Sequence, residues 1–390
     1  MLVVAVAVAA VALARSGRPV ARPAATPSAG TSAPVTPSGR PTAGPPSPST
    51  PSTASALTLR QRAGQRVIYS YDGLTPPSSL VQHIRDGEVA GVIFFGENIA
   101  STAQIAAVVQ QLRQAQQASP IRAPLLLMTD QEGGQVRRLP GPPTLSAKQI
   151  GESGNPPAQA TAAGASAAVT LTDAGMNVNL APVLDVFHTP GDFIDRYQRS
   201  YSGDPNTVAA LGADVITAQQ AGGVAATAKH FPGLGAAPTN QNTDTGPVSL
   251  AVGLPELRAT DESPYPAAIA AGVKLIMLSW AVYPALDPDR PAGLSRTVVQ
   301  SELRTRLGYT GVTITDALEA GALAAYGSPA QRAVLAAEAG VDLILCSARD
   351  VTQGESAAAG LADALSTGQL DPTSFTAALD RIDAIRAVLT

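Results

Sequence analysis

A lysine–histidine pair and several carboxylates follow apolar stretches of this sequence, at the points where buried strands would end. Lys229 and His230 open the segment KHFPG, while Asp130 and Asp316 follow the runs PLLLMT and GVTIT. Glycosidases commonly use two carboxyl groups, one that attacks or assists at the anomeric carbon and one that protonates the leaving oxygen. Lysine, histidine and arginine supply hydrogen bonds to sugar hydroxyls. These residue types therefore indicate chemistry on a carbohydrate.

Other chemistries receive less support. The G-x-S-x-G elbow of serine hydrolases is absent from the sequence. Schiff-base chemistry at Lys229 stays open, and it predicts a lysine with few positive or carboxylate neighbours. The chain has one cysteine, Cys346, and three scattered histidines, so we expect neither a metal site nor a cofactor.

Eight short apolar runs alternate with alanine-rich segments in the sequence from residue 57 onward. The runs are QRVIYSYDG, VAGVIFFGEN, PLLLMTDQEGG, MNVNLAPVLDV, GVAATAKHFPG, VKLIMLSWAVY, GVTITDALEAG and VDLILCSARD. Segments between them, such as 102–118 and 205–221, are long enough for about three or more helical turns. This alternation predicts an α/β fold, a single catalytic domain shaped as a (β/α)8 TIM-type barrel with its site at the carboxyl ends of the strands. An open doubly wound sheet is the alternative, but no G-x-G-x-x-G follows the first strand.

The N-terminal part of the chain has a different composition. Residues 1–15 are an apolar run ending in arginine, which predicts a signal peptide or an N-terminal anchor. Residues 16–56 are dominated by proline, serine, threonine and alanine, which predicts a disordered linker before the barrel domain of residues 57–390. We therefore expect an extracellular or cell-envelope protein that contacts a membrane only through its N-terminal segment.

The net charge of −4 argues against a nucleic-acid partner, because such proteins carry clustered lysine and arginine. We expect a monomer whose partner is a carbohydrate.

Several long motifs give the folded part a resemblance to the family 3 glycoside hydrolases, in particular the single-domain β-N-acetylhexosaminidases of the cell-wall recycling type. KHFPGLG is similar to the K-H-F-P-G-H-G of that family, and TDQEGGQVRRL is similar to its D-Q-E-G-G-R-V-x-R segment. NLAPVLDV, RSYSGDP and LRTRLGYTGVTITDALEAGAL match three further segments in the same order. The resemblance implies a (β/α)8 barrel and a glycosidase that acts on glycans containing N-acetylglucosamine.

The resemblance also implies roles for individual residues. Asp316 would be the nucleophile that forms a glycosyl-enzyme, which water opens with net retention. Asp130, Arg199, Lys229 and His230 would bind hydroxyls of the non-reducing sugar.

One loop departs from the family pattern. The resembled enzymes continue to a D-S-H triplet whose histidine is the general acid and base, but Asp244, Thr245 and Gly246 stand here instead. The second histidine of K-H-F-P-G-H-G is also replaced, by Leu234.

Three hypotheses follow from the missing histidine. Asp244 takes over proton transfer, since a carboxyl in a partly desolvated loop can have its pKa raised toward the working pH. Alternatively the loop only binds, and Glu132 or Glu319 acts as the acid, or the leaving group needs little protonation. In the third hypothesis the barrel has lost turnover and binds glycans.

The family often has a histidine near the position of Trp280, which is the only tryptophan of this sequence. Sugar faces pack on indole rings, so we expect Trp280 to line the pocket, with a core tryptophan as the alternative. Because of this change, a β-glycosidase of other specificity, such as a β-glucosidase, remains an alternative to the β-N-acetylglucosaminidase.

Overall fold

The computed structural model describes residues 57–389, so the predicted signal segment (1–15) and linker (16–56) lie outside the described residues. Each of the eight predicted runs contains a strand. The strands are β1 Val67–Tyr69, β2 Gly91–Ile93, β3 Leu126–Thr129, β4 Gln131–Gly133, β5 Val136–Arg137, β6 Val178–Asn179, β7 Ala225–Phe231, β8 Leu275–Leu278, β9 Val282–Tyr283, β10 Asp287–Pro291, β11 Val312–Thr315 and β12 Ile344–Leu345.

Eight of these strands form a parallel sheet in the order β11-β8-β7-β6-β3-β2-β1-β12. A parallel bridge between Ile314 and Leu343 joins the two ends of this order, so the sheet curves into a barrel. The prediction of a (β/α)8 barrel is confirmed, and the open doubly wound sheet is wrong. Two antiparallel pairs, β4 with β5 and β9 with β10, lie outside the barrel sheet.

Helices connect the barrel strands. The α-helices are α1 Leu59–Gly64, α2 Ser78–Arg85, α3 Thr102–Gln117, α4 Ala147–Gly151, α5 Pro156–Asp173, α6 Phe193–Arg196, α7 Pro205–Ala221, α8 Leu254–Glu256, α9 Tyr265–Ala270, α10 Pro329–Ala339, α11 Val351–Ser366 and α12 Pro372–Arg386. Shorter 3₁₀ turns cover Gly96–Asn98, Ala292–Leu294 and Gly321–Tyr326, and π-helical turns cover Leu257–Asp261 and Thr297–Arg306. Within residues 57–389, no helix is both long enough and apolar enough to cross a membrane.

Helix starts are set by the sequence. Asp204 precedes α7 and its carboxylate accepts hydrogen bonds from the backbone N–H groups of Asn206 and Thr207, with Pro205 at the first helical position. This combination satisfies N–H groups that have no partner inside the helix. Small residues then let helices α5 and α7 approach closely, because a Cβ at Gly164 would lie 2.4 Å from the Val215 carbonyl oxygen.

The barrel interior ends in a layer of four apolar side chains from alternate strands or their C-terminal ends. Ile93, Leu180, Met277 and Leu345 are buried, belong to one core cluster and line the pocket described below. Layers of four side chains from alternate strands are the usual filling of such barrels. The top layer therefore gives the pocket an apolar floor.

Candidate active site

A pocket of about 410 Å³ opens at the carboxyl ends of the barrel strands. Its size lies within the range usual for small-ligand sites, about 300–1,000 Å³. Six of the seven predicted site residues line it, namely Asp130, Arg199, Lys229, His230, Asp244 and Asp316. The barrel thus brings together groups that are up to 186 residues apart in sequence, from Asp130 to Asp316.

Asp316 directly follows strand β11 and faces this pocket. Its Oδ1 accepts a hydrogen bond from the backbone N–H of Ala317 at 2.8 Å. Burial raises the pKa of Asp316, attraction to His230 opposes that rise, and repulsion from Asp244 adds to it. A desolvated carboxylate held by a backbone amide has the properties of a nucleophile.

Four charged side chains form a network beside Asp316. The Lys229 ammonium lies 2.7 Å from Asp130 Oδ1 and 2.8 Å from Glu132 Oε1. Arg199 donates two hydrogen bonds to the Glu132 carboxylate, at 2.9 and 2.8 Å. Such a network presents fixed donors and acceptors to sugar hydroxyls.

The same network excludes two of the alternatives. Burial alone would lower the pKa of Lys229, but Asp130 and Glu132 raise it overall. The Schiff-base alternative needs a lysine with few carboxylate neighbours, so it is wrong. Burial of the Glu132 carboxylate opposes its ionisation, yet Arg199 and Lys229 hold its pKa far below its usual range, which disfavours it as a proton donor.

His230 is oriented by Asp185, another carboxylate that follows one of the apolar runs. The fully buried Asp185 carboxylate lies 2.7 Å from His230 Nδ1 and accepts hydrogen bonds from the backbone N–H groups of His230 and Leu234 at 3.1 and 2.7 Å. Burial opposes ionisation of Asp185, but His230 and these backbone donors lower its pKa overall. The contact fixes the imidazole ring beside the pocket. In the sequence, Asp185 is recognisable as the carboxylate that ends the run NLAPVLD.

Asp244 lies in a loop that contacts the segment after Asp316. The Asp244 side chain is exposed and lines the pocket, and its backbone N–H donates to Asn242 Oδ1 at 2.9 Å. Its carbonyl oxygen accepts a hydrogen bond from the Gly321 N–H at 2.9 Å, and the Thr243 carbonyl accepts one from Ala322 at 3.0 Å. The loop that replaces the family's acid/base loop therefore places a carboxylate at the same pocket as Asp316.

Glu319, the other alternative acid, also lines the pocket. Its carboxylate accepts hydrogen bonds from the Ser347 hydroxyl at 2.8 Å, the Ser347 backbone N–H at 3.3 Å and the Gln353 side chain at 3.2 Å. These three contacts engage the Glu319 carboxylate with the segment after β12, whereas the Asp244 side chain is exposed at the pocket.

Trp280 does not line the pocket, and the prediction of a sugar-stacking tryptophan is wrong. Its side chain is buried, with 1% of its surface exposed, and the indole N–H donates to the Ala317 carbonyl oxygen at 2.8 Å. A Cβ at Gly293 would lie 2.5 Å from the indole ring, so that glycine makes room for it. Trp280 is a core residue that supports the backbone next to Asp316. Sequence reasoning also missed Phe95, Arg138 and Arg349, which line the pocket.

Among residues 57–389, no group of three or more histidine, cysteine, aspartate or glutamate side chains is placed to hold a metal ion.

Three comparisons with known proteins agree with this geometry. The sequence model of the glycosyl hydrolase family 3 N-terminal domain matches residues 58–385. The chain is 48% identical over 339 residues to an "uncharacterized secreted glycosyl hydrolase" of Arthroderma benhamiae, with 86% of this chain and 96% of that protein covered. It is 32% identical over 337 residues to β-hexosaminidase A of Pseudoalteromonas piscicida, with 81% of this chain and 56% of that protein covered.

A solved structure has the same fold. The family 3 β-N-acetylglucosaminidase of a Paenibacillus species superposes with a TM-score of 0.80 at 35% identity, over 85% of this chain and 63% of that one. The chain thus spans less than two thirds of the Pseudoalteromonas and Paenibacillus proteins.

Proposed function

Because the chain belongs to glycosyl hydrolase family 3, we propose that it is a retaining, exo-acting β-N-acetylglucosaminidase with Asp316 as nucleophile and Asp244 as general acid and base. The observation that carries this proposal is the presence of both carboxylates at one pocket, beside the polar network of Lys229. The β-hexosaminidase and β-N-acetylglucosaminidase activities named for its relatives support the sugar specificity.

The reaction would proceed in two displacements. In the first, an Asp316 oxygen attacks the anomeric carbon, the bond from that carbon to the leaving oxygen breaks, and the protonated Asp244 carboxyl gives its proton to that oxygen. In the second, the Asp244 carboxylate takes a proton from water, the water oxygen attacks the anomeric carbon, and Asp316 leaves as a carboxylate. Two inversions give net retention.

The polar network would hold the non-reducing sugar. Asp130 accepts hydrogen bonds from hydroxyls, and Arg199 and Lys229 donate to them, while Asp185 keeps His230 in one orientation. Because these groups are buried or half-buried and are fixed by one another, binding requires little reordering of side chains. The substrates we propose are cell-wall-derived glycans, with the predicted signal segment placing the protein outside the cell or at its envelope.

The first test is turnover. We expect the purified protein to release nitrophenol from 4-nitrophenyl N-acetyl-β-glucosaminide faster than from the β-glucoside, and Asp316→Asn to lower kcat/KM by about a thousandfold or more. A preference for the β-glucoside would redirect the specificity. Failure of both substrates, with Asp316→Asn indistinguishable from the parent, would overturn the hydrolase proposal.

The second test addresses the general acid. We expect Asp244→Ala to lower kcat/KM by about a hundredfold for a poor leaving group and much less for dinitrophenolate, because a good leaving group departs without a proton. Equal losses on both substrates would show that Asp244 does not transfer the proton. Glu319→Gln serves as the comparison, since it tests the other pocket carboxylate.

The missing histidine favours one second candidate, a glycan-binding barrel without turnover. Calorimetry with N-acetylglucosamine oligomers would then show binding while no shorter product accumulates. Product release by the parent protein excludes this candidate.

A further inference from the structure

A second contact between a histidine and an aspartate lies next to the turn that follows His230. His188 Nε2 lies 3.1 Å from each carboxylate oxygen of Asp261. The Asp261 side chain is 1% exposed and the His188 side chain is 18% exposed, and neither is among the residues that line the pocket. The proposed reaction does not use these two side chains. We call them the His188–Asp261 pair.

The two side chains depend on each other. Within residues 57–389, His188 is the only hydrogen-bond partner of the Asp261 carboxylate. Burial raises the pKa of Asp261, while the hydrogen bond and the attraction to His188 oppose that rise. The hydrogen bond to Asp261 raises the pKa of His188, although burial opposes that change. Because an unpaired charge in the interior is strongly unfavourable, His188 stabilises Asp261 in its buried position.

The His188–Asp261 pair joins three segments of the chain. His188 lies between β6 and α6, Asp261 is the last residue of a π-helical turn, and Gly233 belongs to the turn that follows β7. A Cβ at Gly233 would lie 2.6 Å from the Cβ of Asp261, so this turn packs directly on the aspartate. The backbone N–H of His188 donates to the Gly235 carbonyl oxygen at 3.4 Å. The pair therefore holds the segment after β6 against the turn after β7.

The loop that carries Asp244 starts from this turn and runs along the same segment. The backbone N–H of Phe193 donates to the Ala237 carbonyl oxygen at 2.9 Å. The Thr239 hydroxyl donates to the Gly191 carbonyl oxygen. Residues 188–193 thus support the first half of the loop, and we call them the loop support.

The position of His230 has supports of its own. The Asp185 carboxylate contacts the His230 ring and accepts a hydrogen bond from the Leu234 N–H at 2.7 Å. The Tyr283 hydroxyl donates to the Gly233 carbonyl oxygen, also at 2.7 Å. Loss of the His188–Asp261 pair should therefore disturb the loop that carries Asp244 more than it disturbs His230.

We propose that His188 is a positioning residue for proton transfer: its contact with Asp261 fixes the loop support, and the loop support holds the Asp244 carboxyl at the leaving oxygen. This inference rests on the proposed function for the role of Asp244. A misplacement of about 1 Å can lower a rate by about a hundredfold. The departure of a leaving group that needs no proton is insensitive to the position of the acid.

Two substrates with different leaving groups test the proposal on the full-length protein. The readout is the ratio of kcat/KM for methyl N-acetyl-β-glucosaminide to that for the dinitrophenyl glycoside. We expect His188→Ala to lower this ratio about tenfold, because only the methyl glycoside needs a well-placed proton donor. His188→Gln should retain most of the ratio, since its side-chain amide can donate to Asp261. An unchanged ratio in His188→Ala, or equal losses on both substrates, would overturn the proposal.

His83→Ala is the matched control. The His83 side chain is 16% exposed, and its ring nitrogens lie 2.9 Å from Glu88 and 2.8 Å from Glu355. Glu88 precedes β2, so this imidazole lies at the end of the barrel opposite to the pocket. His83→Ala should leave the ratio unchanged. If His188→Ala does not fold, Asp261→Asn removes the other partner of the contact at nearly constant volume, and the same loss of ratio is expected.

Hydrogen–deuterium exchange separates this proposal from the proposed function, because it needs no substrate. The backbone amides of Phe193 and Ala237 both form hydrogen bonds at the loop support. We expect them to exchange about tenfold faster in His188→Ala than in the parent or in His83→Ala. If exchange rises while no substrate turns over, the loop support stands and the proposed function fails. If exchange at these amides stays unchanged, His188 does not position the loop.

Discussion

Two neighbouring side chains, His230 and Asp244, influence how readily the Asp316 carboxyl ionises. Burial raises its pKa above the ordinary value of 3.8, His230 opposes the rise and Asp244 contributes to it. A nucleophilic carboxylate reacts only when ionised, so kcat/KM should fall as the pH drops through this raised pKa. The acid limb of the pH profile therefore reports on the nucleophile.

Removing the charge of Asp244 should move this limb in a defined direction. Asp244 places a like charge beside Asp316 only in its ionised form, so the shift is expected on a substrate that reacts without a proton from Asp244. On such a substrate Asp244→Asn takes away that charge, which lowers the pKa of Asp316 and moves the acid limb of kcat/KM to lower pH. The measurement uses a dinitrophenyl glycoside, whose departure does not depend on the lost proton donor. A limb that stays in place or moves to higher pH would mean that the two carboxylates are not coupled.

The loop that carries Asp244 is attached by backbone hydrogen bonds to the segment that follows Asp316. Gly321 permits this attachment, because a Cβ there would lie 2.5 Å from the Thr245 carbonyl carbon and 2.6 Å from its oxygen. The hydrogen bonds from Gly321 and Ala322 to this loop run between the two backbones, so side-chain changes in the loop leave them intact. The loop that carries Asp244 and the segment after Asp316 therefore form one unit.

Gly321→Ala should separate these two segments. We expect kcat/KM for a poor leaving group to fall by about a hundredfold, because a shift of about 1 Å misplaces the proton donor. Gly246→Ala is the matched control, since nothing lies within 4 Å of a Cβ at that position in the same loop. Equal activities of the two variants would show that the contact at Gly321 does not position Asp244.

The closure of the barrel is stabilised by the contacts of Asp342. It is fully buried before β12, and its carboxylate lies 2.6 Å from Arg304 and 2.7 Å from Arg381. It also accepts a hydrogen bond from the backbone N–H of Thr313 on β11 at 2.8 Å. One carboxylate thus connects the first and last strands of the sheet order to the outer layer.

Asp342→Asn should lower the free energy of unfolding by about 3 kcal/mol, because it removes the fully buried carboxylate that neutralises two half-buried arginines. Urea denaturation measures the effect. Asp173→Asn makes the same chemical change at an exposed position and should change stability by less than about 0.5 kcal/mol. A comparable stability of both variants would mean that barrel closure does not depend on Asp342.

The sequence determined the architecture and indicated six of the residues that line the pocket. Eight apolar runs became eight barrel strands, because a strand buried on both faces needs continuous apolar character whatever its neighbours are. The family membership followed from motifs at the ends of those runs, and six of the seven residues predicted from these motifs line one pocket.

Only the tertiary structure decided how these residues pair. Trp280 follows a strand, as Asp130 and Asp316 do, but its ring enters the core behind Ala317. The contacts of Asp185 with His230, and of Arg349 with Glu97, join residues 45 and 252 positions apart. A local pattern shows which side chains are buried, but ring closure and strand register set which distant groups meet, and those meetings fix the orientation and charge of each catalytic candidate.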